Sequence, residues 1–292
     1  MKKLCLLGLI LVACSAPEEE IQIDIQGHRG ARGLAPENSL EAFVLATNMG
    51  VNTLELDLIV SKDSQLVVSH EPFFSPDFCL DPDGSELNPD SLINMFQLDY
   101  DDIAAYDCGS KGNPKYPEQD RFAVQRPLLS DVLDSIEALV TTSGREPVYY
   151  NIELKTKAYT DSIYHPRPEV FSDLVYKMIT QKNLWDRVNI QSFDFRTLKY
   201  FNQTYPDVKL ALLIENTLAW EKNIDSLGFT PEIYSCYFKL LSPGVVDEMQ
   251  EKGMKVIPWT VNEVADLNEM LALEVDGIIT DYPDRALTLI KK

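Results

Sequence analysis

The stretch LELDLIVSKDSQLVVSHE, from Leu54 to Glu71, sets acidic residues into an apolar strand pattern. Successive side chains of a strand point to opposite faces, so Glu55 and Asp57 share one face and the leucines share the other. A turn and a second short apolar run then lead to His70. Buried carboxylates without a partner cost several kcal/mol each, so a cationic group is expected between them. The pattern predicts a polar site here; the alternative is a solvated strand face beside an incidental histidine.

Around this stretch the chain alternates strands and helices. Strands are predicted at residues 23–26, 53–60, 148–154, 188–193, 208–214, 233–238, 255–259 and 277–280. A first helix is predicted to begin with the capping-box spacing of Asn38 and Glu41 and to end at Gly50. Further helices are predicted at residues 129–141, 169–181, 195–205, 217–227, 244–252, 264–273 and 283–290. Eight such units in roughly 270 residues, 23–292, predict a parallel, closed (β/α)8 barrel, the TIM-barrel fold. An open doubly wound sheet is the alternative, although no G-x-G-x-x-G motif follows the first strand.

The alternation is interrupted once, after the second strand. Residues 71–127 are rich in Asp, Pro, Gly and Asn, and only residues 91–96 have a weak helical pattern. A loop of this length in a compact domain is usually functional, so we interpret it as an insertion beside the site. Cys79 and Cys108 lie within it and are candidates for a disulfide, whereas Cys236 is expected to be a buried thiol. Zinc is not expected, because no C-x-x-C pair is present.

The first residues have the form of a leader. Residues 1–13 combine Lys2 and Lys3 with the apolar run Leu4–Val12, which is too short to span a bilayer. The segment Leu-Val-Ala-Cys ending at Cys14 resembles the lipobox of bacterial lipoproteins. That resemblance implies a signal peptide over residues 1–13, acylation of the Cys14 thiol, and an exported protein anchored to a membrane.

An acidic, polar tether is expected over residues 14–22 in that case. The alternative is an ordinary signal peptide that is cut near Ala16, with Cys14 incidental. The whole chain of 292 residues has a formal net charge of −20, and loss of the two leader lysines makes it −22. Nothing basic is clustered, so nucleic acid is not expected as a partner.

Polar residues recur at the carboxyl ends of the predicted strands, where a barrel would bring them together. They are His28, Arg29, Glu55, Asp57, Asn151, Glu153, Lys155, Gln191, Ser192, Trp259 and Asp281. Glu55, Asp57 and Glu153 offer only hard oxygen ligands, which suit Ca²⁺ or Mg²⁺ better than a transition metal. The alternative is that these acids pair with Lys155 and Arg29 and hold no metal.

Two histidines belong to the same predicted region. His28 and His70 are candidates for a general base and a general acid, groups that commonly contribute about 10²- to 10⁴-fold each in rate. Arg29 and Lys155 would neutralise an anionic substrate, unless they serve only as partners of the acids. The third histidine, His165, lies in a proline-rich loop and is expected to be solvated. Two histidines, one hard metal and two cations suit the cleavage of a phosphodiester.

Seven motifs, in order over nearly the whole chain, resemble the glycerophosphodiester phosphodiesterase family. They are Gly27-His-Arg-Gly30, Pro36-Glu-Asn-Ser-Leu-Glu-Ala-Phe43, Glu55-Leu-Asp57, His70, Glu153-Leu-Lys155, Trp259-Thr-Val-Asn262 and Gly277-Ile-Ile-Thr-Asp-Tyr-Pro283. The resemblance implies a (β/α)8 barrel with an insertion after the second strand. It also implies cleavage of glycerophosphodiesters, such as glycerophosphocholine and glycerophosphoethanolamine, to glycerol 3-phosphate and an alcohol.

The same resemblance implies roles for individual residues. The metal ligands would be Glu55, Asp57 and Glu153. The acid–base pair would be His28 and His70. Arg29 and Lys155 would contact the phosphate, and Trp259 would lie near the glycerol. Our hypothesis is that one histidine deprotonates the glycerol 2-hydroxyl for attack on phosphorus while the other protonates the leaving alcohol. Water would then open the cyclic phosphate. One residue departs from the family pattern: Glu71 follows His70 where the family usually has Asp, which leaves open whether this acid orients the imidazole.

Two other functions remain open from the sequence. Relatives of such barrels act as phospholipases on intact lipid, and a tether at Cys14 would place the barrel near a bilayer. Against this, a charge of −22 is repelled by anionic lipid surfaces. The other alternative is a lipid-anchored binding protein without catalysis, although binding alone has no need of an acid–base pair.

Overall fold

The computed structural model describes residues 23–290 and has a barrel of parallel strands. The strands are β1 (Asp24–Gly27), β2 (Thr53–Val60), β3 (Leu66–Val68), β4 (Tyr149–Leu154), β5 (Val188–Ser192), β6 (Lys209–Ile214), β7 (Ile233–Cys236), β8 (Lys255–Val256) and β9 (Gly277–Thr280). Eight run parallel in the order β8-β7-β6-β5-β4-β2-β1-β9, and β3 pairs antiparallel with β2. Backbone hydrogen bonds from Asp276 to Val256 and from Ile279 to Pro258 join the two ends. The predicted (β/α)8 barrel is confirmed.

Helices connect the strands in the expected places. They are α1 (Leu40–Met49), α2 (Tyr100–Ala104), α3 (Leu129–Ser143), α4 (Pro168–Lys182), α5 (Phe195–Thr204), α6 (Trp220–Leu227), α7 (Pro243–Glu251), α8 (Val264–Ala272) and α9 (Pro283–Ile290). The predicted boundaries of the barrel strands and helices differ from these by three residues at most. The strand predicted at residues 255–259 is the shortest in the structure, because Pro258 has no amide hydrogen with which to extend the ladder.

The barrel strands are buried on both faces, as parallel strands covered by helices must be. All eight residues of β2 are buried, and its three leucines belong to one apolar cluster with Phe43 of α1. Glu55 and Asp57 alternate with these leucines and therefore point to the barrel interior. The polar face that the sequence predicts is thus an interior face.

The start of α1 differs from the predicted capping box. The N-cap is Ser39, whose hydroxyl accepts a hydrogen bond from the Ala42 amide at 3.1 Å. Asn38 adopts a left-handed backbone conformation with φ 54°, and its Nδ2 donates to Asp57 Oδ2 at 2.8 Å. The prediction was wrong about Asn38 because its side chain is held by the acid of β2 and not by the helix.

The insertion forms a small subdomain with its own core. The Val68 amide donates to the carbonyl of Pro127 at 2.8 Å, so the two ends of residues 71–127 are joined at β3. Phe74, Leu87, Met95 and Ile103 pack there in one buried cluster. Short helical turns occupy Met95–Gln97 and α2, close to the weak pattern predicted at residues 91–96.

A disulfide joins Cys79 to Cys108 inside this subdomain, and Cys236 is a free, buried thiol. The bond closes a loop with a sequence separation of 29 residues. Because such a bond restricts the unfolded chain, we expect the Cys79→Ser/Cys108→Ser variant to lose roughly 2–4 kcal/mol of unfolding free energy. Urea unfolding of both proteins, with and without reductant, measures the difference. Reductant should lower the stability of the wild type alone; equal sensitivity of the variant would contradict the prediction.

The predicted signal peptide, the lipidation site Cys14 and the tether lie outside the described residues. From residue 23 to residue 290, no helix has both the length and the apolar composition needed to span a membrane.

Candidate active site

Three buried carboxylates meet on the inner face of two neighbouring strands. Glu55 and Asp57 project from β2 and Glu153 projects from β4, and the strand register places Asp57 beside Glu153. One oxygen from each carboxylate lies within 4.8 Å of the other two. The three residues are 2%, 1% and 7% exposed. The structure therefore brings together the acids that the sequence predicts as metal ligands.

The charges of this carboxylate cluster are not balanced by the neighbouring cations. Burial, together with the charges of Asp57 and Glu153, raises the pKa of Glu55 well above its usual range. Burial likewise raises the pKa of Glu153 to about 7, in spite of Lys155. Burial acts in the same direction on Asp57, but Lys155 and Arg29 hold its pKa well below its usual range. Two of the three carboxylates are thus destabilised as anions without a further positive charge.

The cluster fits a divalent cation that prefers oxygen ligands. All three candidate ligands are carboxylates, and hydrogen bonds from neighbouring groups orient them. The Gln191 amide donates to Glu55 Oε1 at 2.7 Å, and the Arg29 backbone amide donates to Glu55 Oε2 at 2.9 Å. The Asn38 amide orients Asp57 in the same way. A bound Ca²⁺ or Mg²⁺ would stabilise these three crowded carboxylates, whose orientations are already fixed.

The imidazole of His28 is held by a buried carboxylate. Its Nδ1 lies 2.6 Å from Asp281 Oδ1, and Asp281 also accepts hydrogen bonds from Arg32 at 2.8 and 3.1 Å. Burial and the charge of Arg32 lower the pKa of His28 to about 4, although Asp281 opposes them. Because the ionised Asp281 can only accept, Nδ1 carries the proton and Nε2 presents a lone pair, 3.9 Å from Glu55 Oε2.

The imidazole of His70 has a more exposed carboxylate partner. Its Nδ1 lies 2.8 Å from Glu71 Oε1, and the side chain of Glu71 is 43% exposed. Burial and the charge of Lys155 lower the pKa of His70. Nε2 of His70 makes no hydrogen bond to residues 23–290. The side chain of Glu71, although longer than the usual Asp, therefore contacts the imidazole and can orient it.

Arg29 and Lys155 contact the acids directly. Arg29 Nη1 donates to Glu37 Oε1 at 3.0 Å, and its Nε lies 3.3 Å from Asp57 Oδ2. Lys155 Nζ donates to Glu153 Oε1 at 2.7 Å and lies 3.4 Å from Asp57 Oδ1. Both cations also line a cavity that opens over the acids. Their role as partners of the acids and their availability to an anion are therefore compatible.

A cavity of about 190 Å³ opens over these groups. Its wall includes seven of the eight predicted site residues, namely His28, Arg29, Glu55, His70, Glu153, Lys155 and Trp259. The Trp259 indole donates to the Ser235 carbonyl at 3.0 Å and meets the Phe193 ring edge-on at 5.5 Å between centroids. An apolar wall thus faces the charged one. Such a cavity can hold an anionic group between two cations and two imidazoles.

The family model for the glycerophosphoryl diester phosphodiesterase family matches residues 28–285. The chain belongs to this family. The predicted class of enzyme, a phosphodiesterase that hydrolyses glycerophosphodiesters, is thereby confirmed.

Relatives within the phosphodiesterase family match along most of the chain. A glycerophosphodiester phosphodiesterase of Bacillus altitudinis is 30% identical over 91% of this chain and 97% of its own length. One from Caldanaerobacter subterraneus subsp. tengcongensis is 29% identical over 91% and 96%. A structure from Silicibacter pomeroyi, named after the same family, has a TM-score of 0.81 with 28% identity and covers 90% of this chain and 91% of that one.

The phosphodiesterase site contains residues whose roles the sequence did not reveal. Asp281 was noted only as a polar residue at a strand end, but it orients His28. Glu37 joins Arg29 and Arg32, and Asn38 orients Asp57. Their signal in the sequence was their place in the quoted motifs, which does not tell which atoms they contact.

The prediction for His165 was wrong. His165 is 3% exposed and therefore buried, not solvated. Its Nε2 accepts from the Lys157 amide at 3.0 Å, and its Nδ1 lies 2.8 Å from the Pro166 carbonyl oxygen. The polar loop folds around the imidazole and satisfies both ring nitrogens, so exposure of the loop does not imply exposure of this side chain.

Proposed function

We propose that this phosphodiesterase is a metal-dependent enzyme that uses His28 and His70 as its acid–base pair. The observation that carries the proposal is the joint position of the carboxylate cluster and two imidazoles. Each imidazole has a carboxylate at Nδ1, and both imidazoles line the same cavity. The products would be glycerol 3-phosphate and an alcohol.

One divalent cation, Ca²⁺ or Mg²⁺, would be held by Glu55, Asp57 and Glu153. When bound, it supplies positive charge that stabilises the phosphate oxygens of the substrate. The high pKa of Glu55 and Glu153 in its absence supports this assignment, because the neighbouring cations do not offset the burial of these two carboxylates.

Arg29 and Lys155 would contact the phosphate, because both line the cavity and keep their positive charge beside the acids. Charge-assisted hydrogen bonds of this type stabilise the developing charge of the transition state. Trp259 would line the mouth near the glycerol.

The proton transfers follow from the free Nε2 atoms. One imidazole takes the proton of the glycerol 2-hydroxyl, whose oxygen forms a new bond to phosphorus. The bond from phosphorus to the leaving oxygen breaks, and the other histidine, which enters the step as an imidazolium, gives that oxygen the proton of its Nε2. In the second step water adds to phosphorus and opens the cyclic phosphate, which restores both imidazoles and yields glycerol 3-phosphate.

Release of glycerol 3-phosphate from glycerophosphocholine and glycerophosphoethanolamine tests this proposal. The soluble form that starts after Cys14 is assayed with EDTA and then with added Ca²⁺ or Mg²⁺. Release only with added metal supports it. A folded protein that releases nothing with either metal would overturn it.

A second candidate substrate class is a lysophospholipid or other intact lipid. A cavity of about 410 Å³ adjoins the site through His70 and Lys155, and four aromatic side chains, Phe73, Tyr159, Tyr164 and Phe193, line it. Tyr159 is 77% exposed, which suits contact with an acyl chain. Assay of lysophosphatidylcholine beside glycerophosphocholine separates the two candidates.

We also propose that the protein is exported and lipid-anchored at Cys14, on the basis of the leader and lipobox pattern. Mass spectrometry of the mature N-terminus tests this. An acylated Cys14 supports the proposal, and an unmodified N-terminus near residue 17 contradicts it.

The two carboxylate partners of the imidazoles should differ in importance. Glu71→Gln is expected to lower kcat only about 3- to 10-fold, because the partly exposed Glu71 is screened by water. Asp281→Asn should lower it about 10²-fold or more, because Asp281 is buried and fixes the tautomer of His28. Steady-state kinetics measure both, with Glu71→Asp as the conservative control that keeps the carboxylate. An equal loss in both variants would contradict the distinction.

A further inference from the structure

A second polar cavity adjoins the catalytic one and is built largely from the insertion. It has a volume of about 370 Å³ and shares Arg29, Arg32 and His70 with the catalytic cavity. The rest of its wall comes mainly from residues 71–127, including the exposed Lys115 and the buried Arg126. A group attached to a phosphate in the catalytic cavity can therefore extend past His70 into this second cavity.

Arg126 is a buried cation on which the carboxylate of Glu37 acts only from beyond ion-pair distance. It is 3% exposed, and within residues 23–290 no carboxylate forms an ion pair with it. Its Nη1 donates to the backbone carbonyl of Glu37 at 2.7 Å, while Nε has no hydrogen-bond partner in the same range of residues. The guanidinium lies 5.6 Å from the ring centre of Phe78, a contact that does not neutralise its charge.

The neighbouring carboxylate of Glu37 is already used by other cations. Arg29 Nη1 lies 3.0 Å from Glu37 Oε1, and Arg32 Nη1 lies 3.8 Å from Glu37 Oε2. Arg29 and Arg32 have further acidic partners, but Arg126 has none among the described residues. A buried and unpaired charge is costly in free energy, so an anion at Arg126 would be stabilising.

Other donors face the same cavity. The exposed Lys115 has no ion-pair partner within the described range, and its backbone amide donates to Asn113 Oδ1 at 3.1 Å, which leaves the Asn113 amide group free to donate. The Tyr116 ring packs under the guanidinium of Arg32, with 4.8 Å between the carbon and the ring centre. Asp77 is the exposed acid at the rim, and the carboxylates of Glu37 and Glu71, which contact Arg29 and His70, also line the cavity. Four cations, Arg29, Arg32, Lys115 and Arg126, line the same cavity, in a protein of net charge −20.

We propose that this cavity is a subsite for the leaving alcohol, selecting alcohols that bear an anionic group, either a carboxylate or a phosphate. Arg126 would bind that group, with Lys115 at the entrance. The proposal rests on the proposed hydrolysis of glycerophosphodiesters and names the substrate class within it. The aromatic cavity on the other side of His70 contains no arginine and would instead suit an apolar or cationic alcohol.

Two matched pairs of substrates test the subsite. Glycerophosphoserine differs from glycerophosphoethanolamine by one carboxylate, and glycerophosphoinositol 4-phosphate differs from glycerophosphoinositol by one phosphate. For the full chain we expect kcat/KM to be about 10-fold higher for the anionic member of at least one pair. The pair that shows the preference identifies the anionic group.

Variants then connect the preference to the cavity. Arg126→Met should lower the ratio of kcat/KM within the preferred pair about 10-fold, and Lys115→Met about 2- to 5-fold, because exposed charges contribute less. Lys157→Met is the matched control: it removes one positive charge on the side of the aromatic cavity, and the ratio should not change. Thermal unfolding checks that each variant is folded. If Arg126→Met does not fold, the ratio measured for Lys115→Met, a change at an exposed position, tests the subsite.

The outcomes separate the two proposals. Three outcomes would overturn the subsite alone. They are hydrolysis of all substrates with kcat/KM ratios near one within both pairs, a preference for choline esters, and a ratio that neither Lys115→Met nor Arg126→Met changes. Absence of hydrolysis for every substrate would overturn the proposed function, and the subsite with it.

Discussion

A His28→Asn variant is expected to have a kcat about 10²- to 10⁴-fold lower than the wild type, the usual contribution of one acid–base group. Nδ1 of His28 is held 2.6 Å from Asp281, so the imidazole presents Nε2 to the cavity in a fixed orientation. An asparagine amide cannot take up and release a proton near neutral pH. Binding of a divalent cation should stay close to that of the wild type, because the carboxylate cluster is untouched.

Steady-state kinetics and calorimetric titration with Ca²⁺ or Mg²⁺ measure these two effects separately. His165→Asn is the matched control, because it removes an imidazole that lies outside the carboxylate cluster and is satisfied by backbone groups. It should keep turnover while losing some thermal stability. Near-normal turnover by His28→Asn would remove His28 from the mechanism.

The second large effect is expected when the carboxylate cluster is changed. Glu153→Gln should nearly abolish metal-dependent turnover, because one of three anionic ligands is lost. Above pH 7 the metal-free variant should nevertheless be more stable than the metal-free wild type, on the order of 1–3 kcal/mol, because the change removes one of three crowded negative charges. The hydrogen bond from Lys155 Nζ to Glu153 Oε1 should be kept in this variant, because the amide oxygen of glutamine can accept it.

The pH dependence of the metal-free wild type should have the same origin. The pKa of Glu153 is about 7 in the folded protein, above its value near 4.5 in an unfolded chain. A raised folded pKa means that this group's contribution to stability is fully present below pH 4.5 and is lost as the pH rises through about 7. Above that pH its contribution no longer changes.

Thermal unfolding in EDTA and in excess Ca²⁺ or Mg²⁺ tests both expectations. Added metal should stabilise the wild type, by about 2.7 kcal/mol at a concentration 100 times the Kd, and stabilise Glu153→Gln much less. Glu215→Gln, at an exposed position, is the control for loss of one negative charge elsewhere. If EDTA-treated Glu153→Gln is no more stable than EDTA-treated wild type, the acids are balanced without a metal.

The residues that sequence reasoning placed together are those on the regular strands. Glu55, Asp57 and Glu153 were predicted to meet because the alternation within a strand and the common direction of parallel strands are both visible in sequence. Their separation of less than 4.8 Å agrees with that prediction. The strand and helix boundaries followed from the same local periodicities.

Residues in loops were predicted less well. The sequence predicts a helix cap at Asn38 and solvent exposure of His165, and both side chains are instead held by hydrogen bonds. Asp281 contacts His28 across 253 residues of sequence, a distance over which no local pattern carries information. The unpaired charge of Arg126 gave no signal in sequence either, because a lack of partners can be seen only after every neighbour has been placed.

The sequence by itself determined the barrel, the position of the insertion, and the identity of the acids, imidazoles and cations at the strand ends. It could do so because hydrophobic periodicity and residue type are local properties. Only the tertiary structure decided which nitrogen of each imidazole is free, which cations are already neutralised, and which buried cation is left for a ligand. Those properties depend on distances between atoms that are remote in the chain, and electrostatic and hydrogen-bond energies follow those distances.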